Sequence, residues 1–240
     1  MLNFSFELIF ILFITKPQTL PSYVEFMEGD YLLPRMASIN TPLRIAVLIS
    51  GSGSGLNALL NYQRISRPHI TSLIVADSED ATGLEYGLKS NIKTIGIPLP
   101  HISDKHQQRL MHEELINTEL IKSNIELIVL SGYMRILTPE FVVKWKGRIV
   151  NIHPSLLPKF PGANAHRDAI KAKVTVSGCT VHLVDSGVDT GHILAQKEIQ
   201  VLPEDNIKTL QEKIKKIEHE LYPEVLDLLS IGKYHSKSSG

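Results

Sequence analysis

The sequence predicts an α/β fold: a single doubly wound, mostly parallel sheet with helices on both faces and an antiparallel strand pair at the C-terminal end. Two observations carry this. From Arg44 onward, short apolar and β-branched runs alternate with helix-length segments, as in strands joined by crossover helices. Past residue 175 the texture changes, and two strand candidates, VSGCTVHLV and HILAQKEIQV, follow one another across DSGVDTG as a hairpin-like pair.

The elements follow in order. RIAVLIS (44–50) reads as a buried parallel strand that runs into a glycine-rich turn, with a helix expected over 55–66. ITSLIVA (70–76), IKTIGIP (92–98), IELIVLS (125–131) and RIVNIH (148–153) are the next strands. The longest helix candidate is 104–123, where Leu110, Met111, Leu115, Leu120 and Ile121 are expected to share an apolar side. Thr138, Pro139 and Glu140 read as an N-cap with proline at the first helical position. A charged helical stretch, 206–229, closes a catalytic domain expected over 44–230, with 231–240 as a tail.

Residues 1–43 do not share this texture. MLNFSFELIFILFITK is apolar but is interrupted by Glu7, has no basic n-region, and falls short of the about 20 apolar residues that span a bilayer. Met27 and Met36 both precede the first patterned strand, so the expectation is an unstructured extension or an over-extended start, with a membrane anchor or targeting segment as the alternative. Across the 240 residues, 25 basic and 25 acidic side chains cancel, which argues against a nucleic-acid or anionic-membrane partner. The single cysteine, Cys179, excludes an intrachain disulfide and a CxxC metal site, and fits a reducing, cytoplasmic setting.

Three groups of residues bear chemistry. Gly51, Ser52, Gly53, Ser54 and Gly55 lie between the first strand and its helix, where free backbone N–H groups and the helix dipole hold phosphate. No Gly-Lys-Ser/Thr ending follows, so the loop is not a P-loop. Leu56 stands where a dinucleotide fingerprint has its third glycine, although Asp77 is available as that motif's acidic partner. A plain tight turn is the remaining alternative. Asn151 and His153, two apart on RIVNIH, point to one side at the strand end, and Pro154 fixes the backbone there. Asp185 and Asp189, at another strand end, can converge on them, and a carboxylate beside an imidazole is expected to raise its pKa. His153, Asp189, His166 and His182 show no metal-ligand spacing, and Ser155 lacks a nucleophile-elbow pattern. What remains is an enzyme that positions two substrates and stabilises developing charge without a covalent intermediate.

RIAVLISGSGSGLNALL, SGYMRILTPEFV, NIHPSLLPKFPGANAHRDA, SGCTVHLVDSGVDTGHILAQ and IEHELYP, in that order, resemble the phosphoribosylglycinamide formyltransferases, the folate-dependent transformylases of de novo purine synthesis. The likeness runs from about Arg44 to about Leu229. It implies transfer of a formyl group from 10-formyltetrahydrofolate, the co-substrate, to the amine of glycinamide ribonucleotide, giving formylglycinamide ribonucleotide and tetrahydrofolate. It also implies small-molecule partners, no metal, and a monomer or homodimer. By resemblance, Gly51 to Gly55 would hold the phosphate and Glu218 would face the ribose. Arg109, Met134, Arg135, Ile136, Leu137, Asn151, Asp185 and Asp189 would form the folate site. Asn151, His153 and Asp189 would be catalytic, with Asn151 and protonated His153 stabilising the oxyanion and Asp189 keeping His153 charged.

Gly55 departs from the asparagine of some relatives, His192 stands where proline is frequent, and Arg109 is placed only by ungapped spacing from Met134. Formyltetrahydrofolate deformylases resemble this chain but carry a preceding regulatory domain and usually a histidine at the position of Pro154. Methionyl-tRNA formyltransferases need a further domain and a more basic surface. A catalytically silent nucleotide- or folate-binding module is the reading from another class, and Asn151, His153 and Asp189 together argue against it.

Overall fold

A computed structural model describes residues 33–233; residues 1–32 of the expected extension and 234–240 of the expected tail lie outside the described residues. One seven-stranded sheet has the order β3-β2-β1-β4-β5-β6-β7. β1 (Leu43–Ile49), β2 (His69–Ala76), β3 (Lys93–Gly96), β4 (Leu127–Leu130) and β5 (Ile149–His153) run parallel. β6 (Val176–Leu183) lies antiparallel to β5, and β7 (Ile193–Gln200) antiparallel to β6. Chain order reverses between β1 and β4, the switch point outside which open α/β sheets bind ligands.

Burial on both faces explains why β1 reads as a continuous apolar run. Leu43, Ile45, Val47 and Ile49 face one core, while Ala46 and Leu48 face the other. Helices α1 (Ser54–Tyr62) and α6 (Ile207–Ser230) cover the first face through Leu56, Leu59, Leu210, Ile214 and Leu226. Helices α3 (Lys105–Lys122) and α4 (Pro139–Lys144) cover the second through Ile116, Leu120, Phe141 and Val142. The short α2 (Leu84–Lys89) and α5 (Ala165–Lys171) are too brief for a hydrophobic period to announce them.

Caps set the helix starts as the residue types dictate. Thr138 accepts from Phe141 N with Pro139 in the first turn, and Asp104 accepts from His106 N and Gln107 N. Asn206 opens α6 with a reciprocal capping box against Thr209. The apolar side expected for α3 is corrected. The helix buries His112, Glu113, Ile116, Asn117 and Leu120, and leaves Met111, Leu115 and Ile121 exposed. Polar groups take the inner face because each finds a partner there. His112 Nε2 lies 2.7 Å from Ile97 O, Trp145 Nε1 donates to Asn117 Oδ1 at 3.1 Å, and Glu113 accepts the backbone N–H and hydroxyl of Thr138.

Residues 33–42 lie against this body. Arg35 forks onto Glu126 (Nε to Oε1 2.6 Å, Nη2 to Oε2 3.1 Å), and Ala37 N donates to Ser230 O at 2.7 Å. On the far side of α6, the buried Tyr222 hydroxyl lies 3.0 Å from Leu130 O and 2.8 Å from Val150 O. It thereby fixes α6 across β4 and β5. Tyr222→Phe should lower unfolding free energy by about 1–2 kcal/mol, the usual cost of losing a buried hydrogen bond. A urea titration checks this: the midpoint should fall with an unchanged m-value.

Candidate active site

Two groups of side chains meet at the carboxyl end of the sheet. The first lines a cleft of about 350 Å³ between the loop after β1 and α6, walled by Gly51 to Gly55, Ser131, His166, Lys215, Glu218 and His219 among others. The residue that caps the start of α1, Gly53, has a left-handed conformation (φ 67°) and no side chain to cap with. The first-turn N–H groups therefore have no partner within the helix and open toward the cleft. Glycine at 53 is required twice over: by its positive φ, and because an added Cβ would lie 2.8 Å from Gly83 Cα. At Gly55 an added Cβ would collide with Ser131 Oγ, so here the serine occupies the room that a side chain at 55 would need.

Charge in this cleft is governed by burial. Burial pushes the Glu218 carboxyl up to about 7, against the opposing pull of Lys215. His166 is held below the usual histidine range by burial and by the nearby charges of His153 and Lys215, and His219 likewise by burial and Lys215. Sequence reading singled out Glu218 but missed Lys215, three residues earlier on the same helix face. The available signal was helical spacing, obscured by the number of lysines in α6.

The second group is built where β5 meets β6. Asn151 lies directly across from His182, and His153 across from Thr180, which puts each pair on one face. Asn151 Nδ2 is 3.2 Å from His182 Nε2. His153 Nδ1 is 3.2 Å from Asp189 Oδ2, and Asp189 Oδ1 is 3.6 Å from His182 Nε2. The expected convergence of Asn151, His153 and Asp189 is thus present, with His182 among them.

The expected upward shift of His153 is corrected. Burial lowers its pKa and outweighs the upward push of Phe160 O and Asp189. Its Nε2 lies 2.8 Å from Phe160 O, which can only accept, so both ring nitrogens face acceptors while the ring sits in a poorly solvated place. For Asp189 the balance runs the other way. Burial would raise its pKa, but the Gly162 N–H (2.7 Å) and the neighbouring His153 outweigh this and hold it low. Asp189 also adopts φ 55°, a left-handed backbone held in place by these contacts.

The stiffness of residues 154–162 is not proline's alone. Thr180 Oγ1 donates to Ser155 O (2.6 Å) and accepts from Leu157 N (3.0 Å), and Gln196 Nε2 donates to Leu157 O (2.8 Å). The buried Ser155 hydroxyl donates to Lys159 O. Ser155, Thr180 and Gln196 went unsingled in the sequence as supports because their partners are backbone groups with no sequence signature.

The remaining candidates surround the switch point. Met134 and Ile136 are exposed (72% and 64%), an apolar pair left at the strand ends. Met134 N donates to Ser50 Oγ at 2.8 Å, joining this loop to the glycine loop. Leu137 packs partly buried against the second core. Arg135 Nε is 2.6 Å from Asp77 Oδ2, so the acidic residue that a dinucleotide site would need is already paired. Asp185 shapes its own loop, accepting from Gly187 N (3.0 Å) and Thr190 Oγ1 (2.7 Å). Arg109 is exposed on α3; burial raises the Glu113 carboxyl nearby, against the pull of Thr138 and of the Arg109 charge. Among the described residues, no group of three or more His, Cys, Asp or Glu is arranged to hold a metal ion, and no helix is long and apolar enough to cross a membrane.

The formyl transferase family model matches residues 43–226. The trifunctional purine biosynthetic protein adenosine-3 of Chironomus tentans is 44% identical over 190 residues, and that of Homo sapiens 39% over 193; each alignment covers 79% of this chain. The chain spans only 14% and 18% of the length of these two relatives. Among solved structures, glycinamide ribonucleotide transformylase 1 from Symbiobacterium toebii superposes with a TM-score of 0.75 at 34% identity, covering 82% of this chain and 95% of that one. Phosphoribosylglycinamide formyltransferase from Bacillus halodurans gives 0.73 at 38% identity, covering 79% and 97%. The matched span takes in both the glycine-loop cleft and the Asn151, His153 and Asp189 group, and the chain belongs to the formyl transferase family, among its phosphoribosylglycinamide formyltransferases.

Proposed function

We propose that this chain transfers the formyl group of 10-formyltetrahydrofolate to the amine of glycinamide ribonucleotide, a step of purine biosynthesis. The observation that carries the reading is the meeting, at the carboxyl end of the sheet, of a cleft with free helix N–H groups and a cluster of buried His153 with half-buried Asn151 and Asp189. His166 joins the two, because it lines the cleft and lies close enough to His153 for their charges to interact.

In this reading the loop Gly51 to Gly55 and Lys215 hold the phosphate, and Glu218 accepts from the ribose hydroxyls. The exposed Met134 and Ile136, with Arg135, Leu137, Asp185 and Arg109, bound the folate side. The ribonucleotide amine attacks the formyl carbon, and negative charge gathers on the formyl oxygen. Asn151 and His153 donate to that oxygen, for which His153 Nε2 exchanges its Phe160 O contact for the substrate. Asp189 stabilises the imidazolium that burial disfavours, and takes part in moving the amine proton toward the departing folate nitrogen. Donors fixed in a poorly solvated site are worth about 2.7–4 kcal/mol each in the transition state.

Formyl transfer should require both substrates, measured by omitting each in turn. Formate release without the ribonucleotide would instead indicate a deformylase, and tight folate binding without turnover a silent module. His153→Ala and Asp189→Ala should each lower kcat by about 10²–10³-fold with the fold intact, and near-normal turnover would remove that residue from the mechanism.

Glu218 supplies a pH test. Its carboxyl sits near 7 in the free protein, and hydroxyl donors from a ribose favour the ionised form, so binding should expel its proton. KM for the ribonucleotide should therefore fall as pH rises through about 7, a dependence that Glu218→Gln removes. An unchanged profile in that variant would rule Glu218 out as the group responsible.

A further inference from the structure

We propose that His182 is a positioning residue for formyl transfer: its Nε2 fixes the carboxamide of Asn151 so that an amide N–H is presented to the formyl oxygen. The inference rests on the reading above, in which Asn151 is an oxyanion donor.

The hydrogen-bond roles follow from the fixed partner. His182 is buried, and its Nδ1 lies 2.9 Å from Leu183 O, a backbone carbonyl that can only accept. Nδ1 must therefore carry a proton. Nε2 faces Asn151 Nδ2 at 3.2 Å, and Asp189 Oδ1 only at 3.6 Å, beyond a hydrogen bond. With Nε2 as acceptor, one amide N–H of Asn151 is consumed and the other is left with a defined direction. Without it the amide can turn over, bringing its own oxygen to where negative charge develops. Rigid β-sheet geometry makes the constraint effective, since Asn151 and His182 are direct cross-strand neighbours on β5 and β6. His153 and Asp189 are the titratable neighbours on this face, and neither offers Asn151 a competing contact in the structure.

Two substitutions separate the nitrogens. Asparagine at 182 reaches the Nδ1 position and can keep the Leu183 contact while losing the acceptor. Glutamine reaches the Nε2 position and can accept from Asn151 while losing the Leu183 contact. His182→Asn should lower kcat by roughly 10–100-fold, with KM for both substrates within about threefold, whereas His182→Gln should stay within about fivefold of the parent. Because His182 acts through Asn151, adding His182→Asn to Asn151→Ala should cost less than about twofold further. Equal losses in the Asn and Gln variants, a loss in KM alone, or fully multiplicative losses in the double variant would overturn the proposal while the parent remains active. So would loss of the folded circular dichroism spectrum in His182→Asn, which would assign His182 to stability. A parent without transferase activity would overturn the functional reading, and this inference with it.

Discussion

The Asp189 carboxylate joins parts of the chain that are remote in sequence. It takes the N–H of Gly162 from the proline-rich loop, faces His153 at the end of β5, and looks toward His182 on β6. The Gly162 and His153 contacts help keep it ionised in a half-buried place, and its own backbone stands at a positive φ. The ring of His153, the path of residues 154–162 and the turn between β6 and β7 therefore share one anchor. A local loss there would spread through all three, because a carboxylate without its donors would have to protonate or move into solvent.

The sheet explains why that anchor is possible. β5 is the strand at which parallel pairing gives way to antiparallel: β6 leaves the sheet at Leu183, beside Val150, and the β6–β7 turn then brings Asp189 back onto His153 at the end of β5. Alternation then divides the labour of adjacent residues. Asn151 and His153 face the carboxylate cluster, while Ile152 lines the glycine-loop cleft under α6. Tyr222, bonded to carbonyls of β4 and β5, keeps α6 seated so that Lys215 and Glu218 look into that cleft.

Asp189 apart, burial sets protonation here more than pairing does. It pushes Glu218 toward 7, holds His166 and His219 low, and overrides the carboxylate beside His153. Burial of this kind disfavours charge on these four groups at rest and makes it valuable when a substrate supplies it. That is the condition under which fixed donors contribute most to a transition state.

The sequence alone determined the sheet and most of its helices, because a strand buried on both faces must be apolar throughout and a helix start must satisfy its first N–H groups. RIAVLIS, Thr138 with Pro139, and the pairing of Asn151 with His153 carry that information locally. It also brought out the glycine loop and the motifs from which the formyltransferase likeness follows. Tertiary structure decided what depends on partners distant in the chain. The inner face of α3 holds His112, Glu113 and Asn117, since Ile97, Thr138 and Trp145 satisfy them, and no periodicity could reveal that. His182 gains its place by standing across from Asn151, thirty-one residues away. The direction of the His153 shift required a depth of burial, which is a sum over every neighbour and cannot be read from the two residues that flank it.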